Sequence, residues 1–321
     1  MNPALFATVA KSLAAKHFGV DAPDAQQFPE GALVVDGDQV VVYRHTDADV
    51  AIGPVMLAAT KASAEKVSVV VGDAPTAGIL ARQATQLAVP PDVYVLDGTD
   101  IVVADPAEVP GVQEPTMADV ELAHAAYEPH ALELVVEAGI VRGELFGLEV
   151  SRVVDGFVEV GVGRFDREAG AMLRGTVEST DVLADALAQV APHRTAEALP
   201  HPLNRLGRER WLRSVAVAEP STVGLTSLAP VETVAVRQNL LDPFVAAGLG
   251  MDGDGVDTLA VFAAGLDTTA LAHAADLTAR HAPERVVVAI PEADMLPALT
   301  ALYPLLAAPT EVVGMAAPWP R

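Results

Sequence analysis

Cysteine is absent from this 321-residue chain. Disulfides, thiolate nucleophiles, iron–sulfur ligation and zinc sites that need thiolate are therefore excluded. Lysine is nearly absent. Lys11, Lys16, Lys61 and Lys66 are the whole set, so no phosphate-loop, Schiff-base or nuclease lysine can come from beyond residue 66. Aromatic residues make up 4% of the sequence against 51% apolar residues. The cores must then be built from Ala, Val and Leu, which suits α/β layers with Val-rich buried strands. Long apolar runs are lacking too. The longest stretch without charge, Met295 to Thr310, contains Pro297 and Pro304, and it falls short of the roughly 18–20 residues of a spanning helix. Lys11 and Lys16 follow the N-terminal apolar residues instead of preceding them, unlike a secretory leader. A soluble, cytoplasmic protein is expected.

Positive charge is scarce overall. The net charge of −23 repels phosphate backbones and disfavours nucleic acid as a partner. The charge is uneven: between Arg142 and Arg213 ten Arg meet eleven acids, so this segment is nearly neutral. An anionic partner would meet the protein here.

Along the chain, a first helix is expected over Pro3–His17, with Gly19 as its stop. Ala32–Val35, an Asp36-Gly37 turn and Gln39–Tyr43 read as a hairpin. A helix from Pro54 to Lys66, the strand Val67–Val71, a helix from Thr76 to Leu87 and the strand Val93–Leu96 follow, and Asp97-Gly98 turns into Ile101–Val103. The Pro-rich stretch Ala104–Pro115 reads as a linker. The C-terminal part repeats this order: strand Asp257–Phe262, a helix from an Asp267 cap to His281, strand Val286–Ile290, helix Met295–Leu306 and strand Val312–Met315. Between them, Thr116 caps a helix with Asp119 as its capping-box partner, and that helix restarts at Pro129 and ends near Gly139. Gly143–Val154, an Asp155-Gly156 turn and Phe157–Gly163 make a hairpin, followed by a helix from Asp181 to Val190 capped by Thr180 and an Arg-rich helix Leu203–Arg213. The expected fold is α/β, with two repeated βαβαβ units of mostly parallel sheet joined by a central hairpin and helices. The expected domains are 1–112, 113–218 and 219–321, the central one packed with the last.

The candidate catalytic acids are Glu149, Glu159 and Asp166, which could hold Mg²⁺ if they converged on one face. A two-residue loop at Asp155-Gly156 puts Arg152 opposite Glu159 and sends Glu149 to the other face, beside Arg164. Cross-strand ion pairs are then expected; a three-residue loop would bring both acids to one side. Gly161-Val-Gly163-Arg-Phe-Asp166 lacks the third glycine of a dinucleotide fingerprint and reads as a tight turn. Met251–Asp257 resembles a calcium loop, but Val256 and Ala263 occupy ligand positions. His193 and His201 read as lone loop histidines, and no GxSxG or HExxH occurs. Among the basic residues, Arg205, Arg208, Arg210, Trp211 and Arg213 are the candidate partner-binding set, with intramolecular neutralisation as the alternative. The strand ends carry His45, Asp47, Asp49, Asp73, Asp267, Glu292 and Asp294, several placed as helix caps.

At GELFGLEVSRVV, EVGVGRFDREA and HPLNRLGRERWLR the chain resembles a protein family of high-GC actinobacteria, a resemblance that transfers no activity. The strand–helix–strand–helix–strand endings resemble the tail of restriction-endonuclease-like folds. That likeness implies an acid-x-Lys signature at Glu159-Val-Gly161 or in Asp257–Phe262, and neither has the lysine. The expectation is a non-catalytic interaction or scaffold protein, without cofactor, meeting an acidic protein partner or itself. A divergent metal-dependent nuclease or phosphohydrolase and a small-molecule binder at the strand ends stand as alternatives.

Overall fold

The computed structural model describes residues 3–20, 24–45, 51–163, 167, 179–237 and 244–320. Within them the chain is an α/β protein with eight helices and three sheets, two mixed and one antiparallel. It forms two compact units. One comprises Met1–Val109, Thr268–Ala282 and Pro297–Pro309; the other Pro110–Asp267, Pro283–Leu296 and Thr310–Arg321. No helix among the described residues is long and apolar enough to cross a membrane.

The first unit opens with α1 (Pro3–Phe18), then β1 (Gln26–Phe28), β2 (Gly31–Asp36) and β3 (Gln39–Arg44). The chain continues through α2 (Ile52–Ala62), β4 (Lys66–Val71), α3 (Ala74–Ala84), β5 (Asp92–Asp97) and β6 (Asp100–Val103). The six strands lie in chain order; only β3–β4 and β4–β5 are parallel. Val40, Val41, Val42, Val69 and Val70 are wholly buried, as interior strands covered on both faces require. Helix α1 sets Phe6, Ala10, Leu13 and Ala14 on one stripe against Val34, Val41 and Tyr43. Asp73 caps α3, its Oδ1 accepting the Thr76 N–H at 3.0 Å.

In the second unit the Thr116 cap is present, its Oγ1 accepting the Asp119 N–H at 3.1 Å at the start of α4 (Met117–Tyr127). The Asp119 carboxylate accepts the Thr116 hydroxyl at 2.8 Å and the Gly156 N–H at 2.9 Å, not the Thr116 N–H of a full capping box. Beyond it the expected helix to Gly139 gives way to a strand. β7 (Glu133–Glu137), β8 (Ile140–Leu145), β9 (Leu148–Val154) and β10 (Phe157–Val160) form a four-stranded antiparallel meander in place of a lone hairpin. Its three loops are Ala138-Gly139, Phe146-Gly147 and Asp155-Gly156, and all six residues have positive φ. That conformation matches strand twist in two-residue hairpins. Ala and Phe are poor indicators of it, so only the Asp-Gly loop was legible. Helix α5 (Ser179–Val190) and α4 cover the apolar face of this sheet, packing Ala123, Tyr127, Leu183 and Val190 on Val141, Leu148, Val150 and Val153. The Thr180 cap lies outside the described side chains.

The Arg-rich helix begins later than expected. Pro202–Arg205 makes one 3-10 turn, and α6 (Arg208–Ala218) starts after Gly207, whose φ is +54°. Next come β11 (Ser227–Val231), β12 (Val245–Met251), β13 (Asp257–Ala263), α7 (Ala270–His281), β14 (Arg285–Pro291), α8 (Pro297–Thr300) and β15 (Thr310–Met315). These five strands again lie in chain order, with two antiparallel pairs and then two parallel ones. The sheets are therefore mixed, not mostly parallel, because the antiparallel strands before each βαβαβ stretch join it. Two local expectations change as well. Thr269, whose side chain makes no capping hydrogen bond, stands at the start of α7 where Asp267 was expected as cap. The helix expected over Met295–Leu306 is broken into α8 and a 3-10 turn at Tyr303–Leu305, since Pro304 has no N–H to donate.

Helix α7 belongs to the first unit, where it packs on α2 and α3. Arg82 Nε donates to Asp276 Oδ1 at 2.9 Å and Gln83 Nε2 to its Oδ2 at 3.1 Å, all three side chains being buried.

Candidate functional site

The site grows out of the four-stranded sheet. The Asp155-Gly156 loop has the expected two residues, so Val154 pairs with Phe157 and Arg152 with Glu159. Arg152 Nε reaches Glu159 Oε2 at 2.9 Å. The expected separation of Glu149 from Glu159 does not hold, however. Across β8–β9, Arg142 opposes Arg152 and Gly143 opposes Ser151, but Glu144 opposes Glu149. Val150 is thus an extra residue, a bulge that shifts the register by one. Directly opposed residues share a face, so Glu149 returns to the side of Arg152 and Glu159. With Glu133 and Glu137 of β7 in the same register, one face carries five carboxylates and two guanidiniums.

Arginines from elsewhere in the unit neutralise this face. Helix α6 presents Arg210 and Arg213, one turn apart. Glu144, fully enclosed, accepts from Arg210 Nη1 at 2.8 Å and from Arg213 Nη2 at 2.7 Å. Arg210 Nη2 also donates to Glu137 Oε2 at 2.6 Å. Glu149 is held by Arg142 and, at 3.1 Å, by Arg167. Burial would strip the proton from Arg210, but Glu144 and then Glu137 outweigh it and raise its pKa. Burial also opposes ionisation of Glu137, yet Arg210, Arg142 and Arg213 hold its carboxyl below the ordinary value. Glu133 is different: Arg213 Nε stays 3.9 Å away, and desolvation pushes this carboxyl up.

The expected site residues are therefore distributed as follows. Arg210, Trp211 and Arg213 are buried, the two arginines against the carboxylated sheet face and Trp211 in the apolar core. Trp211 packs with Leu212, Phe262 and Val287 and lies 3.8 Å below the guanidinium of buried Arg194. Arg205 is exposed, while Arg208 is half-buried, donating to the Asn204 carbonyl at 3.1 Å and lying over Trp319. Glu149 and Glu159 share a face but have arginines between them, and Asp166 lies outside the described residues. Among the described residues no three His, Asp or Glu side chains gather as metal ligands. Asp252 ties its own loop, accepting from Asp254 N and Val256 N at 2.9 and 3.0 Å. At the strand ends Asp294 accepts from Gly265 N at 2.7 Å, and Asp47 and Asp49 lie outside the described residues. His193 and His201 are not isolated: their rings stack at 3.7 Å.

Over the charged face opens a pocket of about 200 Å³, lined among others by Glu137, Arg142, Glu149, Arg167, Arg210 and Arg237. Arg237 is paired with Glu209 and its side chain is 5% exposed. Four buried donor atoms on the lining residues have no hydrogen-bond partner among the described residues: Nε of Arg142, Nε of Arg167, and Nε and Nη1 of Arg237. The Arg142 atom is 3.4 Å from Glu137 Oε2, within ion-pair reach. Burial lowers the pKa of both Arg167 and Arg237 against the pull of Glu149 and Glu209 respectively. No lining carboxylate oxygen is buried and unpartnered among the described residues. Sequence reasoning did not find Arg142, Arg167 and Arg237 as a group. They lie 25 and 70 residues apart, and the only local signal was the near-neutral charge of a segment that ends before Arg237. No family model matches this chain, and neither a curated protein nor a solved structure matches it.

Proposed function

We propose that this chain is a non-catalytic binding protein, and that the arginine-lined pocket on the charged face of the four-stranded sheet is where it meets an acidic partner. The observation that carries this reading is the set of orphaned donors on Arg167 and Arg237, since buried polar groups in folded proteins are ordinarily satisfied. Five guanidiniums and three carboxylates line the pocket. The recognition surface is thereby moved from the exposed face expected of α6 to a recess behind it. The overall charge of −23 opposes an acidic partner at the pocket only weakly, because at physiological salt exposed charges more than about 8 Å away are largely screened. The two mixed sheets read as diverged copies of one unit. Gln39 pairs with Lys66 and Thr258 with Arg285, the same step of 27; Ser68 pairs with Asp92 and Val286 with Thr310, the same step of 24.

Fluorescence anisotropy with labelled hexaglutamate and hexalysine peptides, at physiological salt, tests the proposal. Saturable binding of the acidic peptide alone is expected, weakened about tenfold or more in Arg237→Gln and unchanged in Arg205→Gln. Equal binding by Arg237→Gln, or none by wild type, refutes it.

A further inference from the structure

We infer that the pocket holds a single carboxylate group, from a free small carboxylate or from an acidic partner. This rests on the binding reading above and adds the chemistry of the ligand. Every buried orphan atom on the lining residues is a donor, so the missing group is an acceptor. An N–H of a guanidinium makes its strongest bonds to an anionic oxygen. Arg237 contributes two such donors from a side chain that is 5% exposed, and Arg167 adds one from across the pocket lining.

The pocket, about 200 Å³, has room for a small carboxylate such as acetate. Charge sets the preference. Glu137, Glu149 and Glu232 share the lining, and Glu209 and Glu159 pair with Arg237 and Arg152, so five carboxylates balance the five lining guanidiniums. Every negative charge on the ligand is then opposed by these carboxylates, and a ligand with a single charge is opposed least. One charge, spread over two oxygens, matches the donors that are open.

The test follows the arginine Nε–H resonances of the full chain by NMR during titration with acetate, and separately with sulfate and chloride at equal ionic strength. The resonances of Arg237 and Arg167 are expected to shift saturably with acetate, and acetate to displace labelled hexaglutamate. Arg237→Gln leaves Glu209 buried without its partner and could fail to fold, so Glu209→Gln/Arg237→Gln, which removes both charges, serves as the second variant. It should retain cooperative unfolding and lose about tenfold or more in acetate affinity. Acetate without saturable shifts while hexaglutamate still binds overturns this inference and leaves the binding reading standing; failure of both ligands removes both. Sulfate binding as tightly as acetate, or undiminished acetate affinity in the double variant, also overturns the carboxylate assignment.

Discussion

Replacing Glu144 by Gln probes the layer of charge on which the site is built. Its side chain has no exposed surface and accepts two charge-assisted bonds, at 2.8 Å from Arg210 and 2.7 Å from Arg213. Gln keeps the shape and one acceptor oxygen but removes the charge and turns the other position into a donor facing a guanidinium. Breaking a buried pair typically costs about 3–5 kcal/mol, because the remaining charge is left uncompensated. Arg210 keeps Glu137 at 2.6 Å, which places the expected loss near the lower end, about 3 kcal/mol. For a unit of this size each kcal/mol moves the midpoint by about 2–4 °C, so a fall of about 6–12 °C is expected by calorimetry, with a matching drop in the urea midpoint. Glu159→Gln is the internal comparison. Its partner Arg152 is 28% exposed, and a solvent-screened pair of this kind contributes about 1 kcal/mol or less. Should Glu144→Gln unfold within about 1 kcal/mol of wild type, or cost no more than Glu159→Gln, the charged layer does not hold the unit together.

Gly147→Ala should destabilise the same unit far more than Gly156→Ala. Both have positive φ, which costs an alanine about 1–2 kcal/mol, but a Cβ at Gly147 would lie 2.3 Å from the Arg210 backbone carbon, whereas nothing stands within 4 Å at Gly156. Equal urea midpoints for the two variants would show that the Phe146-Gly147 loop does not press on α6. Glu133→Gln is expected to stabilise the protein at pH 7 and to flatten its pH dependence. Desolvation raises the Glu133 pKa above its ordinary 4.5, so its favourable contribution is complete below that value and is lost as pH rises through the folded value. Unfolding free energies measured from pH 4 to 8 check this, and a variant whose stability falls as steeply as wild type over that range refutes it.

Much of the fold was legible because the first unit obeys local rules. Runs such as Val-Val-Val-Tyr in β3 are long enough for a strand and too apolar for a surface, and Asp73 and Thr116 cap where a short side-chain acceptor precedes a periodic segment. What escaped notice did so for identifiable reasons. Ala138-Gly139 and Phe146-Gly147 adopt left-handed conformations that their residue types do not advertise, so two hairpins were read as a helix end and one long strand. β12, Val-Ala-Ala-Gly-Leu-Gly-Met, has two glycines that strand propensity disfavours. Pairing across the sheet, with a Cβ at Gly250 meeting the Ser227 carbonyl oxygen at 1.9 Å, needs a glycine there, and that close approach is invisible along the sequence.

The site turned on one residue. The loop length at Asp155-Gly156 was legible, and from it the pairing of Arg152 with Glu159; the position of Glu149 was not, because Val150 bulges on the opposite edge of the same strand. A strand's faces alternate only while its ladder is unbroken, so a register argued from one neighbour cannot fix faces beyond a bulge that belongs to the other. The consequence bears on function. With Glu149 returned to the charged face, Arg142 and Arg167 pair with it; Arg142 Nε keeps only an ion-pair approach to Glu137, and Arg167 Nε has no hydrogen-bond partner among the described residues. In an acidic protein a local excess of arginine signals a ligand only where donors outnumber acceptors. Arg210 is matched by Glu144 and Glu137, and Arg213 by Glu144, although Arg213 Nε, 3.9 Å from Glu133, is also left open. Arg213 does not line the pocket, whereas Arg167 and Arg237 carry their open donors on its lining, and that position is where binding should be sought.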